Sequence, residues 1–251
     1  MNIKRLVYLL MEKCLSPFTD KIVCISEAER ESALKEHIAR QDKLELIPNG
    51  IDISTVRDAI PIRRDELGIS DTAFVVGMIG RISPQKAPDT FIRAAKKIHE
   101  RIPDSAFIIV GDGLERKEIE AFAEAHGLHL YVTGWTDWPY SYLKVFDVAL
   151  LLSRWEGFGL AIVEYMAAEK NVVASRVDAI PTLIDDRVDG LLVEVDNAED
   201  VCDKVLWLHE HPEEAARMRE AALKKVMRDY DIGRVVDQHV NLFVKLCNST
   251  L

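Results

Sequence analysis

The stretch AFVVGMIGRISPQKAPDTFIRAAKKIHERIPDSAFIIVGDG, residues 73–113, holds the organisation of the chain in one unit. Residues 73–79 form a short, unbroken apolar run, as expected of a strand covered on both faces. Gly80 stops it. Pro88 then stands where a first helical turn begins, and Phe91, Ile92, Ala95 and Ile98 follow at helical spacing. A second apolar run, 106–110, ends again at a glycine. Outward from this unit the same rhythm continues. Strands are expected at 129–132, 147–152, 171–175 and 191–194, and helices at 115–126, 160–169, 198–211 and 212–228, with an amphipathic helix closing the chain around 235–246. The fold class is α/β, a Rossmann-like, doubly wound parallel sheet over residues 73–228.

The first fifty residues fit less smoothly. They offer a helix, a strand at 21–26, a second helix, and a short strand at 44–47 before the turn Pro48-Asn49-Gly50. Residues 51–72 read as a charged connector. A whole domain thus follows what looks like a piece of another (residues 1–50), and residues 229–251 form a closing helical segment.

Composition narrows the class. The 251 residues are 48% apolar and 29% charged, which excludes a disordered or collagen-like chain. The net charge of −10 is spread along the chain, arguing against broad nucleic-acid or anionic-membrane binding. The longest apolar runs, such as 145–152, are too short to span a bilayer. Cys14, Cys24, Cys202 and Cys247 show no C-x-x-C pairing or metal spacing, and residues 1–11 read as a helix rather than a signal peptide. A cytoplasmic protein is expected, and Asn248-Ser249-Thr250 then has no meaning as a glycosylation acceptor.

In open parallel sheets, ligands bind beyond the carboxyl ends of the strands. Four such ends carry glycines here: Gly80-Arg81 with Lys86, Gly111-Asp112-Gly113, Gly134-Trp135, and Glu156-Gly157-Phe158-Gly159-Leu160. Arg81 and Lys86 share one loop and can converge on a diphosphate; two solvated surface cations are the other reading. Gly157 and Gly159 precede a helix N-terminus, which favours an anion, or they form a plain strand-to-helix turn. Glu164 suits a vicinal diol such as a ribose, or complements the helix dipole. With Glu156, eight residues earlier, it could also be a glycosidase-like pair, although no second feature supports that.

Rival motifs fail. Arg116 stands where a dinucleotide fingerprint needs its third glycine, and no G-x-S-x-G, P-loop or H-E-x-x-H occurs. Asp229-Tyr230-Asp231 follows a helix rather than a strand, and His209 and His211 lie on a polar helix end.

Taken in order from about residue 20 to 228, these loops resemble the donor-binding half of retaining glycosyltransferases of GT-B fold, group 1 (family four). The matching residues are Asn49-Gly50-Ile51-Asp52, Gly80-Arg81 with Lys86, Val110-Gly111-Asp112-Gly113, Thr133-Gly134-Trp135, the segment from Glu156 through Leu160 to Glu164, and Gly190-Leu191-Leu192-Val193. The resemblance implies that Arg81 and Lys86 hold the donor diphosphate, Glu164 the ribose, and Glu156 with the 157–160 backbone the donor sugar and phosphates; Glu156, Arg81 and Lys86 would be the catalytic set, and Gly80, Gly111, Gly113 and Gly134 would complete the donor site. It implies transfer of a sugar from a nucleotide diphosphate with retention, no metal or other cofactor, and a glycan or lipid-linked acceptor in cell-surface polysaccharide synthesis, capsule included, with the protein cytoplasmic or peripheral at the inner face of the membrane.

Two departures stand out. The family usually has Gly at Glu169, Pro at Asn171, a Gly-rich turn at Val177-Asp178-Ala179 and Glu at Thr182, positions expected to line or support the sugar pocket. A full member also has an N-terminal acceptor domain, of which only a final helix–strand–helix, residues 1–40, is expected here. This chain alone is therefore expected to transfer poorly, with the acceptor half supplied by another chain. The alternatives are a nucleotide-sugar-binding module without turnover, a truncated remnant, and a sugar-nucleotide epimerase, which the missing fingerprint disfavours.

Overall fold

The computed structural model describes residues 3–249, so the first two residues of the stretch 1–11 read as a helix, and Thr250 of the Asn-Ser-Thr triplet, lie outside the described residues. The first part runs α1 (Ile3–Leu15), β1 (Ile22–Cys24), α2 (Glu27–Lys35), β2 (Leu44–Leu46) and α3 (Ile53–Arg57). Then come β3 (Phe74–Ile79), α4 (Pro88–Arg101), β4 (Ser105–Val110), α5 (Arg116–Ala125), β5 (Leu130–Val132), α6 (Pro139–Leu143), β6 (Val148–Leu151), α7 (Leu160–Ala167) and β7 (Asn171–Ser175). The chain continues through α8 (Ile180–Leu183), β8 (Leu191–Val193), α9 (Ala198–Glu210), α10 (Pro212–Asp229) and α11 (Ile232–Ser249). Every apolar run read as a strand becomes one. The helices α3, α6 and α8 were not anticipated, because four or five residues are too few to show a helical period.

Two parallel sheets result. One is a six-stranded sheet in the order β5-β4-β3-β6-β7-β8; the other pairs β1 with β2. In the large sheet the chain winds outward from β3 through β4 to β5 and returns to start again at β6. The strand order therefore reverses between β3 and β6, where crevices form in such sheets. Side chains alternate between two cores. Val75, Ile108, Ala149 and Leu151 join a cluster with α7 and α10, while Val76, Met78, Phe107, Ile109 and Leu150 join one with α4 and α9. Gly77 is part of this packing, since a Cβ there would lie 2.2 Å from the Phe146 ring.

The stretch read as a connector contributes to the first core. Ile51, Ile53, Val56, Leu67 and Ile69 are buried in it, and Arg64 of the same segment folds in to donate to the Ala73 carbonyl at 2.7 Å. The chain crosses between the two sheets twice, and the crossings are bonded together: Ile51 N–H donates to Tyr230 O at 2.9 Å, and Ile232 N–H to Ile51 O at 3.0 Å. Gly50 is required at this point, because a Cβ would come within 2.8 Å of Val235 Cγ2.

The N-terminal unit is thinner. Its cores are small, Cys24, Ala33 and Leu44 in one and Ile47, Val235 and Leu242 in the other. Leu6, Val7, Tyr8, Leu10, Met11 and Leu15 on α1, and Val236, Val240, Phe243 and Val244 on α11, are exposed. Among the described residues no helix is long and apolar enough to cross a membrane.

Candidate active site at the carboxyl edge of the sheet

Strand register places the loop glycines. Ile79 pairs with Val110, and Ile109 with Val132, so Gly80, Gly111 and Gly134 emerge side by side from β3, β4 and β5. They line one cavity of about 180 Å³ together with Arg81, Asp112, Trp135 and Pro139. The loops behind it touch backbone to backbone. Ile82 N–H donates to Asp112 O at 2.9 Å, and a Cβ on Gly111 or Gly113 would lie 2.1 or 2.0 Å from the carbonyl oxygen of Gly80 or Ile82. Gly113 thus serves this close approach and does not line the cavity.

At the switch point, Lys86 Nζ meets Glu156 Oε2 at 2.6 Å, with the two side chains only 17% and 12% exposed. Lys86 reaches there by lying over Gly80, where a Cβ would stand in ordinary contact with its stem, 3.6–3.8 Å away. Ser153 Oγ donates to the same carboxylate oxygen at 3.0 Å, and Glu156 N–H donates to Asp178 Oδ2 at 2.9 Å. Arg81 is exposed and makes no hydrogen bond or ion pair with the described residues. The two cations expected to converge thus occupy different states: Lys86 is engaged, Arg81 uncommitted.

The next helix opens beside this pair. Gly159 caps α7 in the left-handed region at φ +97°, where a Cβ would press on Leu183 Cδ1 at 3.3 Å. Leu160 is exposed at the helix start, where the first N–H groups lack intrahelical partners. Gly157 stands in open space. The Phe158 ring is buried against Tyr230, centroids 5.9 Å apart, which leaves its backbone for a ligand, the part of the 157–160 segment expected to contact the donor. Two turns into the sequence of this loop and helix, Glu164 is half-buried, and Tyr140 donates to its Oε1 at 2.8 Å. Burial pushes the Glu164 carboxyl above its ordinary range, and the Tyr140 hydrogen bond draws it back.

Sequence reasoning did not find the residues that hold these loops. Arg154 bonds Asp89 at 2.8 Å, Asp196 at 2.7 Å and the Pro84 carbonyl at 2.8 Å. Its own N–H donates to Gln85 O at 2.8 Å, and Gln85 Nε2 to Trp155 O at 3.0 Å. The loops carrying Lys86 and Glu156 are thereby stitched together. Tyr165, fully buried, accepts from Ile79 N–H at 2.8 Å and braces the end of β3. Only Pro139, at a helix start, signalled the element carrying Tyr140; nothing in the sequence signals partners as distant as Asp89 and Asp196.

Two departures from the family pattern lie away from the cleft. Glu169 and Asn171 stand at the amino end of β7, where Asn171 Nδ2 donates to Asp147 O at 3.1 Å, so they support the far edge of the sheet and not the sugar pocket. Asp178 does reach the site, through Glu156. Among the described residues no group of three or more His, Cys, Asp or Glu side chains is placed to hold a metal ion.

A sheet wound outward from a central switch point, with a cation–carboxylate pair at its carboxyl edge, fits nucleotide-dependent group transfer. The sequence pattern of the Glycosyl transferases group 1 family matches residues 60–225, and the chain belongs to that family. It is 30% identical, over 96% of its length and 64% of the relative's, to a UDP-Gal:α-D-GlcNAc-diphosphoundecaprenol α-1,3-galactosyltransferase of Escherichia coli. It is 31% identical to a D-inositol 3-phosphate glycosyltransferase of Segniliparus rotundus, over 70% of this chain and 41% of that one. The chain thus spans less than two thirds of these relatives. Its fold matches Anabaena Alr3699/HepE in complex with UDP, with a TM-score of 0.86 at 22% identity over 95% of this chain and 68% of that one. It also matches the C-terminal domain of the group 1 family protein LpcC of Francisella tularensis, with a TM-score of 0.65 at 25% identity over 73% of this chain and all of that one.

Proposed function

We propose that this chain is the donor-binding part of a retaining glycosyltransferase that moves a sugar from a nucleoside diphosphate to a lipid-linked or glycan acceptor in cell-surface polysaccharide synthesis. The observation that carries this reading is the Lys86–Glu156 pair at the β3/β6 switch point, beside the uncommitted guanidinium of Arg81 and the start of α7. The fold relative solved with UDP and the relative named for a diphosphoundecaprenol acceptor support the same substrate classes. The donor's base and ribose would lie over Gly80, Gly111 and Gly134, with Glu164 on the ribose.

In this reading the arriving diphosphate takes Lys86 from Glu156, and the released carboxylate turns to the hydroxyls of the donor sugar. The anomeric C–O bond to the diphosphate breaks as the acceptor oxygen bonds on the same face. The acceptor's proton passes to the departing diphosphate, whose charge Arg81 and Lys86 neutralise; no metal ion is invoked. The acceptor side is completed by the remainder of the fold, in the same polypeptide or in a partner chain, packed on the exposed apolar faces of α1 and α11. The reaction would take place on the cytoplasmic side, at the membrane surface where a lipid-linked acceptor is found.

Calorimetric titration with UDP and UMP tests the site. The wild-type chain is expected to bind UDP more tightly than UMP, and Lys86→Met to weaken UDP by roughly 10- to 100-fold, the worth of one charge-assisted hydrogen bond, while changing UMP little. Equal affinities for the two nucleotides, or an unaffected Lys86→Met, would overturn the assignment.

A further inference from the structure

Tyr140 sits immediately after Pro139, which lines the glycine-walled cavity, and its hydroxyl donates to Glu164 Oε1 on α7 at 2.8 Å. We propose that Tyr140 is the positioning residue of the ribose subsite: it fixes the Glu164 carboxylate in the orientation that receives the two vicinal hydroxyls of a bound ribonucleoside diphosphate. This rests on the reading of Glu164 as the ribose acceptor.

A carboxylate offers about four lone-pair sites, and Tyr140 occupies one of them. Oε2 has no hydrogen-bond partner among the described residues, so that oxygen and the second lone pair of Oε1 remain for a diol. The donor is held rigidly. The α6 backbone accepts from Ile62 N–H at Ser141 O, 3.0 Å, and the Tyr140 ring packs on the main core. The acceptor is equally fixed, since its helix neighbours Ile162, Val163, Tyr165 and Met166 are all buried. Two rigid elements therefore meet through one hydroxyl, and the carboxylate loses little further freedom when a ribose arrives. Burial and the adjacent carboxylate push the Tyr140 phenol up, so it stays a neutral donor. In a merely structural staple the same bond would only tie α6 to α7, and the sugar of the nucleotide would be irrelevant to it.

The experiment compares UDP, GDP and ADP with their 2′-deoxy counterparts, by calorimetry, on the wild-type chain, Tyr140→Phe and Glu164→Gln. Phe keeps the ring and its packing, so the variant folds, and melting temperatures are recorded alongside. The wild type is expected to prefer the ribonucleotide it binds by about tenfold or more, since each hydroxyl bonds a charged group. Tyr140→Phe is expected to weaken that nucleotide about tenfold and to bring the ribo/deoxyribo ratio toward one. An unchanged ratio in Tyr140→Phe, with the ratio lost in Glu164→Gln, overturns the positioning role and leaves the ribose reading standing. An unchanged ratio in Glu164→Gln, or no binding of any diphosphate to the wild type, overturns both.

Discussion

Burial works against the ionised form of Glu164, whose carboxyl is pushed up by desolvation and drawn back only in part by Tyr140. A carboxyl with a raised folded pKa binds its proton more readily in the folded state. The folded chain therefore pays a penalty that is complete above the raised value and absent below the unfolded value of about 4.3. Glu164→Gln keeps the shape and removes the charge. It is expected to stabilise the unliganded chain at pH 7 by on the order of 1 kcal/mol, as substitutions that relieve a destabilised site commonly do. That gain should shrink as the pH falls through the window between the raised value and the unfolded one. Denaturant unfolding at pH 7 and pH 4, beside a UDP titration, checks it: stability should rise while binding falls. Equal stabilities at pH 7 would mean that the site supports the charge fully without a ligand. Lys86 could be picked out in the sequence because it shares the loop after β3 with Arg81, and Glu164 because it follows Glu156 by eight positions, in the pattern of the family. Tyr140 and Arg154 could not, since their partners are brought near only by the winding of the sheet.

The helix α7 ends in a motif whose geometry and sequence disagree. Lys170 N–H donates to Tyr165 O at 3.0 Å and Glu169 N–H to Met166 O at 3.1 Å, the paired bonds of a Schellman motif. The residue after its cap must be left-handed, a position that glycine usually fills. Here it is Glu169 at φ +58°, exposed and off the cleft. Glu169→Gly is expected to stabilise the chain by about 1 kcal/mol, because relief of the left-handed penalty exceeds the added freedom of the unfolded chain. At this chain length that raises Tm by roughly 2–4 °C, with UDP binding unchanged. Asp178, at φ +45°, stands in the same region, which Asp tolerates better than Glu, and also accepts from Glu156 N–H. Asp178→Gly is therefore expected to give no net stabilisation and to weaken UDP binding, and calorimetric scans and titrations of both variants separate relief from function. At this scale the sequence was legible wherever an apolar run was long enough to show its period. The strands met that condition, whereas α3 is started by the Asp52 side-chain cap, and α6 and α8 by prolines, rather than marked by a repeating face. The stretch 51–72 misled because Ile51, Ile53, Val56, Leu67 and Ile69, spaced irregularly among charges, turn to one core while Ile60 stays exposed.

The whole molecule divides at two bonded crossings, and its halves are unequal in core. The six-stranded half carries both large hydrophobic clusters, to which the crossings contribute Ile51 and Tyr230. The N-terminal unit and α11 share small clusters of their own, Ile47 with Val235 and Leu242, and carry rows of exposed apolar side chains on α1 and α11. A fragment spanning residues 49–231 keeps the Ile51–Tyr230 hydrogen bond and the Phe158–Tyr230 contact, and it gives up the Ile232 bond and the small clusters. The C-terminal domain of the Francisella protein, solved by itself, is a precedent for such a unit in this family. The fragment is expected to unfold cooperatively and to bind UDP within a few-fold of the full chain, because none of the residues placed on the donor lies outside it. It should also bind less of an apolar dye than the full chain, since Leu10, Met11, Val240 and Phe243 leave with α1 and α11. Thermal unfolding, UDP titration and dye fluorescence on the two chains check this. A fragment that melts without cooperativity would show that the N-terminal unit completes the main core. A fragment that folds but loses UDP would show that the donor cleft reaches across the crossings into the other half.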